Sequence, residues 1–261
     1  MQGRKVTNDV TAKDAQTSNY QKTLLLVGGC PRSGTSALVQ ALNMHPEVLV
    51  GHERFFHLWR KGTLTAGHFE KSRFLNVEDG DTFYDVERII TTDFSTRRYP
   101  AARLIGDKYP RIYECYGLIS EQFPDAHILY IVRNPFSVAE SYQARYEKEE
   151  GWTQDFREAI REWNRSLAQT IAFLRTNSNM TVVSYETLFS SIELLDGMFR
   201  ALGLDPANSN RAGLQKTIDE FKVLKDKPVL RREDIRYWVS CSADFISYRT
   251  ILQHAIDQKS S

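Results

Sequence analysis

Cysteine is scarce in this chain. Its 261 residues hold three, Cys30, Cys115 and Cys241, odd in number and far apart. That argues against a disulfide framework, fits a reducing compartment and leaves no spacing that resembles a zinc site. An excess of one charge is missing too: 34 Lys and Arg stand against 33 Asp and Glu, a net +1. Such a balance offers no footprint for nucleic acid or an anionic membrane surface as principal partner. No apolar run reaches signal-peptide or membrane-span length, so the expectation is a cytoplasmic protein with no membrane span. Internal repeats and low-complexity blocks are also lacking. What remains is 41% hydrophobic residues, enough for a full core at this length. The polar residues 1–20 read as a flexible tail, and 21–261 as a single α/β domain.

Against these absences stands Leu24-Leu25-Leu26-Val27-Gly28-Gly29-Cys30-Pro31-Arg32-Ser33-Gly34-Thr35-Ser36-Ala37-Leu38. It reads as a buried strand over Thr23–Val27, a glycine-bounded loop, and a helix over about Ser33–Asn43. Further strands are expected at Glu47–Val50, Arg103–Lys108, His127–Val132 and Thr181–Ser184. Helices are expected near Val86–Thr92, Tyr113–Phe123, Pro135–Glu147 and Trp152–Asn177, and after Tyr185 up to Leu202. Residues 54–100 read as short helices and loops, and the aromatics from Phe55 to Tyr84 as a partly apolar or sugar-stacking pocket. Strands alternating with helices predict a parallel sheet covered on both faces. Ligands of such a sheet sit beyond the carboxyl ends of its strands. That singles out the Gly29–Ser36 loop, Glu53, Lys108, Arg133 and Tyr185.

Gly29 and Gly34 have the G-x-x-x-x-G spacing of a phosphate-cradling loop. Amides before a helix form an anion nest, and Thr35 and Ser36 add hydroxyl donors. Thr35 stands where an ATP-binding loop carries lysine; Arg32 supplies a delocalised charge inside the loop instead. A second constellation is Arg133, at a strand end, with Ser141 and Arg145 on one face of the following helix. These three surround one phosphate only if that helix runs past it. No Asp follows a strand as a nucleotide-metal ligand would, except Asp107, read as a capping or orienting group. Trp163 reads as core, Arg231 and Arg232 as a solvated charge run.

With these residues in view, the chain resembles the sulfotransferases that use 3′-phosphoadenosine 5′-phosphosulfate, enzymes with a P-loop-like fold. Gly29–Ser36, Ser33 included, is similar to the family's 5′-phosphosulfate loop. Tyr130-Ile131-Val132-Arg133-Asn134-Pro135 with Ser141 resembles its 3′-phosphate segment, and Tyr185-Glu186-Thr187-Leu188 its Y-E-x-L sequence. Within the family the nearest pattern is that of tyrosylprotein sulfotransferases, followed through His45-Pro46-Glu47-Val48 and Gly51-His52-Glu53. His52 replaces the first of two adjacent acidic residues, and Arg54-Phe55-Phe56 departs from the family's peptide-binding continuation. The resemblance implies Glu53 as general base, with Arg32 and Lys108 on the sulfuryl group and its leaving oxygen. It implies Arg133, Ser141 and Arg145 on the 3′-phosphate, with Tyr185 near that phosphate or the adenine. It implies 3′-phosphoadenosine 5′-phosphate as product; the leading expectation for the acceptor is a hydroxyl of a small molecule, lipid or carbohydrate, and a sulfuryl group, less charged than a terminal phosphoryl, demands no metal clamp. His52 is a rival base, because its ordinary pKa lies near neutrality. A P-loop kinase using ATP and a non-catalytic nucleotide-binding protein are the alternatives.

Overall fold

In the computed structural model, residues 22–81, 92–148, 151–226 and 232–256 are described. The path is β1 (Thr23–Gly29), α1 (Thr35–Leu42), β2 (Val48–His52), α2 (Phe56–Lys61), α3 (Lys71–Leu75), α4 (Thr92–Ala101) and β3 (Leu104–Lys108). It continues through α5 (Tyr116–Gln122), β4 (His127–Val132), α6 (Pro135–Glu147), α7 (Phe156–Leu174), β5 (Met180–Ser184), α8 (Tyr185–Leu188) and α9 (Ile192–Ala201). Three helices close it: α10 (Arg211–Asp226), α11 (Glu233–Ser242) and α12 (Phe245–Leu252).

The five apolar runs pair as one parallel sheet in the order β2-β3-β1-β4-β5. Successive strand residues point to opposite faces, so β1 feeds two cores. Leu26 packs with Leu49, Ile105, Ile128, Trp59 and Trp163 on one face. Leu25 and Val27 pack with Leu38, Leu42, Val50, Leu129 and Phe199 on the other. Both faces are covered, and the parallel α/β expectation holds.

Several boundaries move for local reasons. The helix expected from Ser33 begins at Thr35, because Gly34 caps it in the left-handed region (φ 94°) and the Ser33 amide already bonds Cys30 O at 3.0 Å. The long helix starts at Phe156, where the Asp155 carboxylate accepts from the Arg157 and Glu158 amides at 2.8 and 3.2 Å. The stretch expected as one helix from Tyr113 opens instead as a 3₁₀ turn, Ile112–Cys115. The second strand runs on through His52. The helix expected after Tyr185 is interrupted before Ile192. The tail over 1–20, Arg231 and nearly all of the expected Val86–Thr92 helix lie outside the described residues.

The expected aromatic pocket is overturned in part, and its Phe83 and Tyr84 lie outside the described residues. Phe55, Trp59, Phe69 and Phe74 do not form an open pocket: they are buried in the core, with rings 5.4–6.2 Å apart among the three phenylalanines. Arg54, also buried, pins this segment by an ion pair to Asp81 at 3.3 Å, and Arg73 grips the same carboxylate at 2.7 Å.

Candidate active site at the carboxyl edge of the sheet

Because every strand runs the same way, the carboxyl ends of β2, β3, β1, β4 and β5 lie along one edge. The loop after β1 occupies its centre. Arg32 holds a left-handed backbone (φ 69°), and its Nε donates to Ser141 Oγ at 2.9 Å. Arg133 Nη1 donates to the Arg32 carbonyl at 2.9 Å, and its guanidinium lies over the Tyr185 ring, 4.2 Å from the centroid. The Trp163 indole N–H donates to the Arg133 carbonyl at 3.0 Å, which fixes the strand end from the core side. Helix α6 therefore runs past the loop, as the Arg133–Ser141–Arg145 grouping requires. Arg145 lies one turn beyond Ser141, half-buried.

Tyr185 closes the loop's other side. A Cβ on Gly34 would fall 2.3 Å from its ring. Gly34→Ala combines that overlap with a left-handed backbone, which disfavours L side chains by about 1–2 kcal/mol. The expected result is a loss of at least about 2 kcal/mol, read as a thermal midpoint several degrees lower in calorimetry. An unchanged midpoint would contradict the packing described.

On the β2–β3 side, His52 pairs in register with Lys108, and the two strands end together. The chain turns sharply at Glu53 (φ 59°), whose amide donates to the Lys108 carbonyl at 3.0 Å. Lys108 Nζ returns the contact, donating to Glu53 Oε1 at 2.5 Å. The lysine side chain is 2% exposed and the glutamate 19%. Burial pushes the Lys108 ammonium below its ordinary pKa; Glu53 opposes this, and the nearby Arg32 charge adds to it. The two adjacent candidate bases are thus separated by geometry. Glu53 faces Lys108, whereas His52 Nε2 lies 3.0 Å from Ser36 Oγ, on the loop side.

Of the residues singled out in the sequence, Arg32, Ser141, Arg133 and Tyr185 form one contact chain, and Glu53 with Lys108 a second beside it. Ser33 and Thr35 are buried within the loop and Ser36 is exposed. Arg232 stays apart, paired with Glu147 and Asp234. A buried network escaped the sequence reading: Glu162 accepts from Arg111, from Tyr113 OH at 2.6 Å and from Tyr142 OH at 2.9 Å. Its signal was a carboxylate inside the apolar stripe of α7, between Ile160 and Trp163. Glu186 was seen only as part of the Y-E-x-L sequence and given no role of its own. It accepts from the Asn134 amide at 3.0 Å and ties the end of β5 to that of β4, while burial raises its pKa.

Among the described residues no group of three His, Cys, Asp or Glu could hold a metal ion. Nor is any described helix long and apolar enough to cross a membrane. Residues 25–205 match the model of a family described as the sulfotransferase family. The nodulation protein NoeE of Sinorhizobium fredii is 26% identical over 127 residues, 45% of this chain and 30% of that protein. The protein-tyrosine sulfotransferase of Drosophila melanogaster is 26% identical over 157 residues, 57% of this chain and 31% of its own length. The chain thus spans about a third of the length of these curated relatives. Among solved structures, the sulfotransferase domain from the curacin biosynthetic pathway superposes with a TM-score of 0.49 at 17% identity, covering 84% of this chain and 96% of that one.

Proposed function

Because the chain belongs to the sulfotransferase family, we propose that it moves the sulfuryl group of 3′-phosphoadenosine 5′-phosphosulfate onto a hydroxyl of a sugar, lipid or small-molecule acceptor. The observation that carries this reading is the meeting, on one sheet edge, of a loop braced by Arg32, Ser141 and Arg133 with the Glu53–Lys108 pair. The first half suits a bisphosphorylated nucleotide and the second suits transfer to an alcohol.

The residues fit such a donor. The Ser33 hydroxyl and Arg133 Nε are buried and have no hydrogen-bond partner among the described residues. Unpaired buried donors are costly, and phosphate oxygens would satisfy them. The first amides of α1, unpaired within the helix, and the positive end of its dipole favour an anion at the loop. Arg133, Ser141 and Arg145 would hold the 3′-phosphate, with Tyr185 beneath Arg133. The bound donor supplies an activated sulfuryl group.

The chain's own residues then have distinct tasks. Glu53 takes the proton of the acceptor hydroxyl while that oxygen forms its bond to sulfur. As the bond from sulfur to the 5′-phosphate oxygen breaks, Lys108 and Arg32 meet the negative charge left there. A cation aimed at developing charge acts mainly in the transition state, and so raises rate rather than ground-state affinity.

Calorimetric titration separates this reading from an ATP-using one. 3′-Phosphoadenosine 5′-phosphate is expected to bind about ten- to a hundredfold more tightly than ADP or AMP. The reason is that charge-assisted hydrogen bonds to the extra phosphate contribute about 1.5–3 kcal/mol. ADP binding as tightly would overturn the proposal. A screen of hydroxyl acceptors for sulfated product then identifies the acceptor.

A further inference from the structure

We propose that Asp107 is a positioning residue, which sets base and cation of the transfer site relative to one another by gripping the turn after Glu53 and the amide of Lys108 with one buried carboxylate. This rests on the reading of Glu53 and Lys108 given above.

The carboxylate is fully buried and saturated with donors. Oδ1 accepts from the Arg54 amide at 3.0 Å and from its own neighbour's amide, Lys108, at 2.9 Å. Oδ2 accepts from the Phe55 amide at 3.0 Å and from the Trp59 indole N–H at 3.3 Å. The nearby cations are engaged elsewhere. Lys108 Nζ goes to Glu53, and the Arg54 guanidinium goes to Asp81 and the Asn76 carbonyl. Asp107 therefore holds backbone rather than a salt-bridge partner. Three of its four donors belong to the two segments that carry Glu53 and Lys108.

That grip explains how Glu53 keeps its left-handed backbone. A non-glycine residue persists there only when its surroundings over-determine it, and here the next two amides are both fixed. It also explains Gly51, which pairs with Asp107 across β2 and β3. A Cβ at Gly51 would lie 3.0 Å from Asp107 Oδ1 and 3.2 Å from Arg54 Cβ. Asparagine cannot replace the carboxylate. Whichever way its amide points, an NH₂ group faces two N–H donors.

The same geometry gives a pH signature. Burial pushes Asp107 up to about 6, against the pull of the bonds from Phe55, Arg54, Trp59 and Lys108. The charged groups that interact with it are Lys108, the next residue on β3, and Arg54 on the turn. Protonation turns one oxygen into a donor, releases an amide and loosens the turn. Since the folded pKa lies above the unfolded one, Asp107's contribution to stability is full below about pH 4 and is lost as pH rises through about 6. Turnover moves the other way across that window.

The test compares wild type with Asp107→Asn and Gly51→Ala. It measures kcat against pH, the Kd for 3′-phosphoadenosine 5′-phosphate, and amide hydrogen exchange. Asp107→Asn is expected to lower kcat about a hundredfold and to leave the nucleotide Kd within about threefold. It should remove the acid limb near pH 6 and speed exchange at Arg54, Phe55 and Lys108 at least tenfold. Gly51→Ala, which keeps the carboxylate but crowds it, should lower kcat about tenfold with the Kd unchanged, and it serves if the asparagine variant does not fold. Wild-type kcat and pH profile, or unchanged exchange at those amides, overturn the proposal. Accelerated exchange in a protein whose wild type transfers no sulfuryl group overturns the functional reading instead.

Discussion

If Glu53 is the base proposed above, Glu53→Gln should lower turnover about 10²–10⁴-fold, the usual contribution of a positioned general base, and should leave the affinity for 3′-phosphoadenosine 5′-phosphate where it was. The substitution is nearly isosteric. The glutamine carbonyl can still accept from Lys108 Nζ, so the geometry survives while the basicity and the negative charge are lost. Nucleotide affinity is spared because Glu53 bonds Lys108, whereas the loop is braced separately through Arg32, Ser141 and Arg133. Single-turnover assays of product formation, beside calorimetry with the bisphosphate, check both halves. Turnover within tenfold of wild type would assign the proton to another group, with His52 next in line. The exchange also strands a cation that is 2% exposed. Breaking a buried pair costs about 3–5 kcal/mol. A typical domain stability of about 5–15 kcal/mol tolerates this, so the variant should fold with a lowered thermal midpoint.

Lys108→Met should lose about 10²–10³-fold in kcat, the scale found when one preorganised donor to a developing oxyanion is removed. Methionine fills the space of the lysine stem but carries no charge to meet the leaving oxygen. The stability effect should be smaller than for Glu53→Gln. The group left behind is the 19%-exposed carboxylate of Glu53, which water can reach, and the buried position becomes apolar. Thermal denaturation of the two variants side by side checks that order. Equal turnover in Lys108→Met and wild type would remove Lys108 from the chemistry, and the reverse order of midpoints would contradict the burial pattern.

Much of this was readable in the chain because its signals are local. His127–Val132 and Pro135–Glu147 have the expected limits, since an apolar run ends at Arg133 and Asn134 caps a helix whose first residue is proline. The spacing of Ser141 and Arg145 put them on one helix face, and their grouping with Arg133 at the strand end required that helix to run past the loop, as it does. What escaped depends on contacts distant in sequence. The burial of Phe55, Phe69 and Phe74 is coupled to Arg54 and Asp81, 27 residues apart, which no local pattern reveals. Glu162 is stabilised by Arg111, Tyr113 and Tyr142, and its place in an apolar stripe gave only a hint. The sequence put Glu53 first and His52 second as base; what it did not reveal is the backbone reversal, at a residue that is not glycine, that turns the two side chains toward different partners.

Arg32 and Glu53, on either side of the proposed transfer centre, both stand on backbone that glycine or asparagine would occupy with less strain. Each such residue costs about 1–3 kcal/mol. Drift toward greater heat tolerance would favour replacing these two side chains, the very ones assigned to the reacting atoms. At these two positions durability and turnover pull in opposite directions, and a lineage can gain one there only by giving up the other.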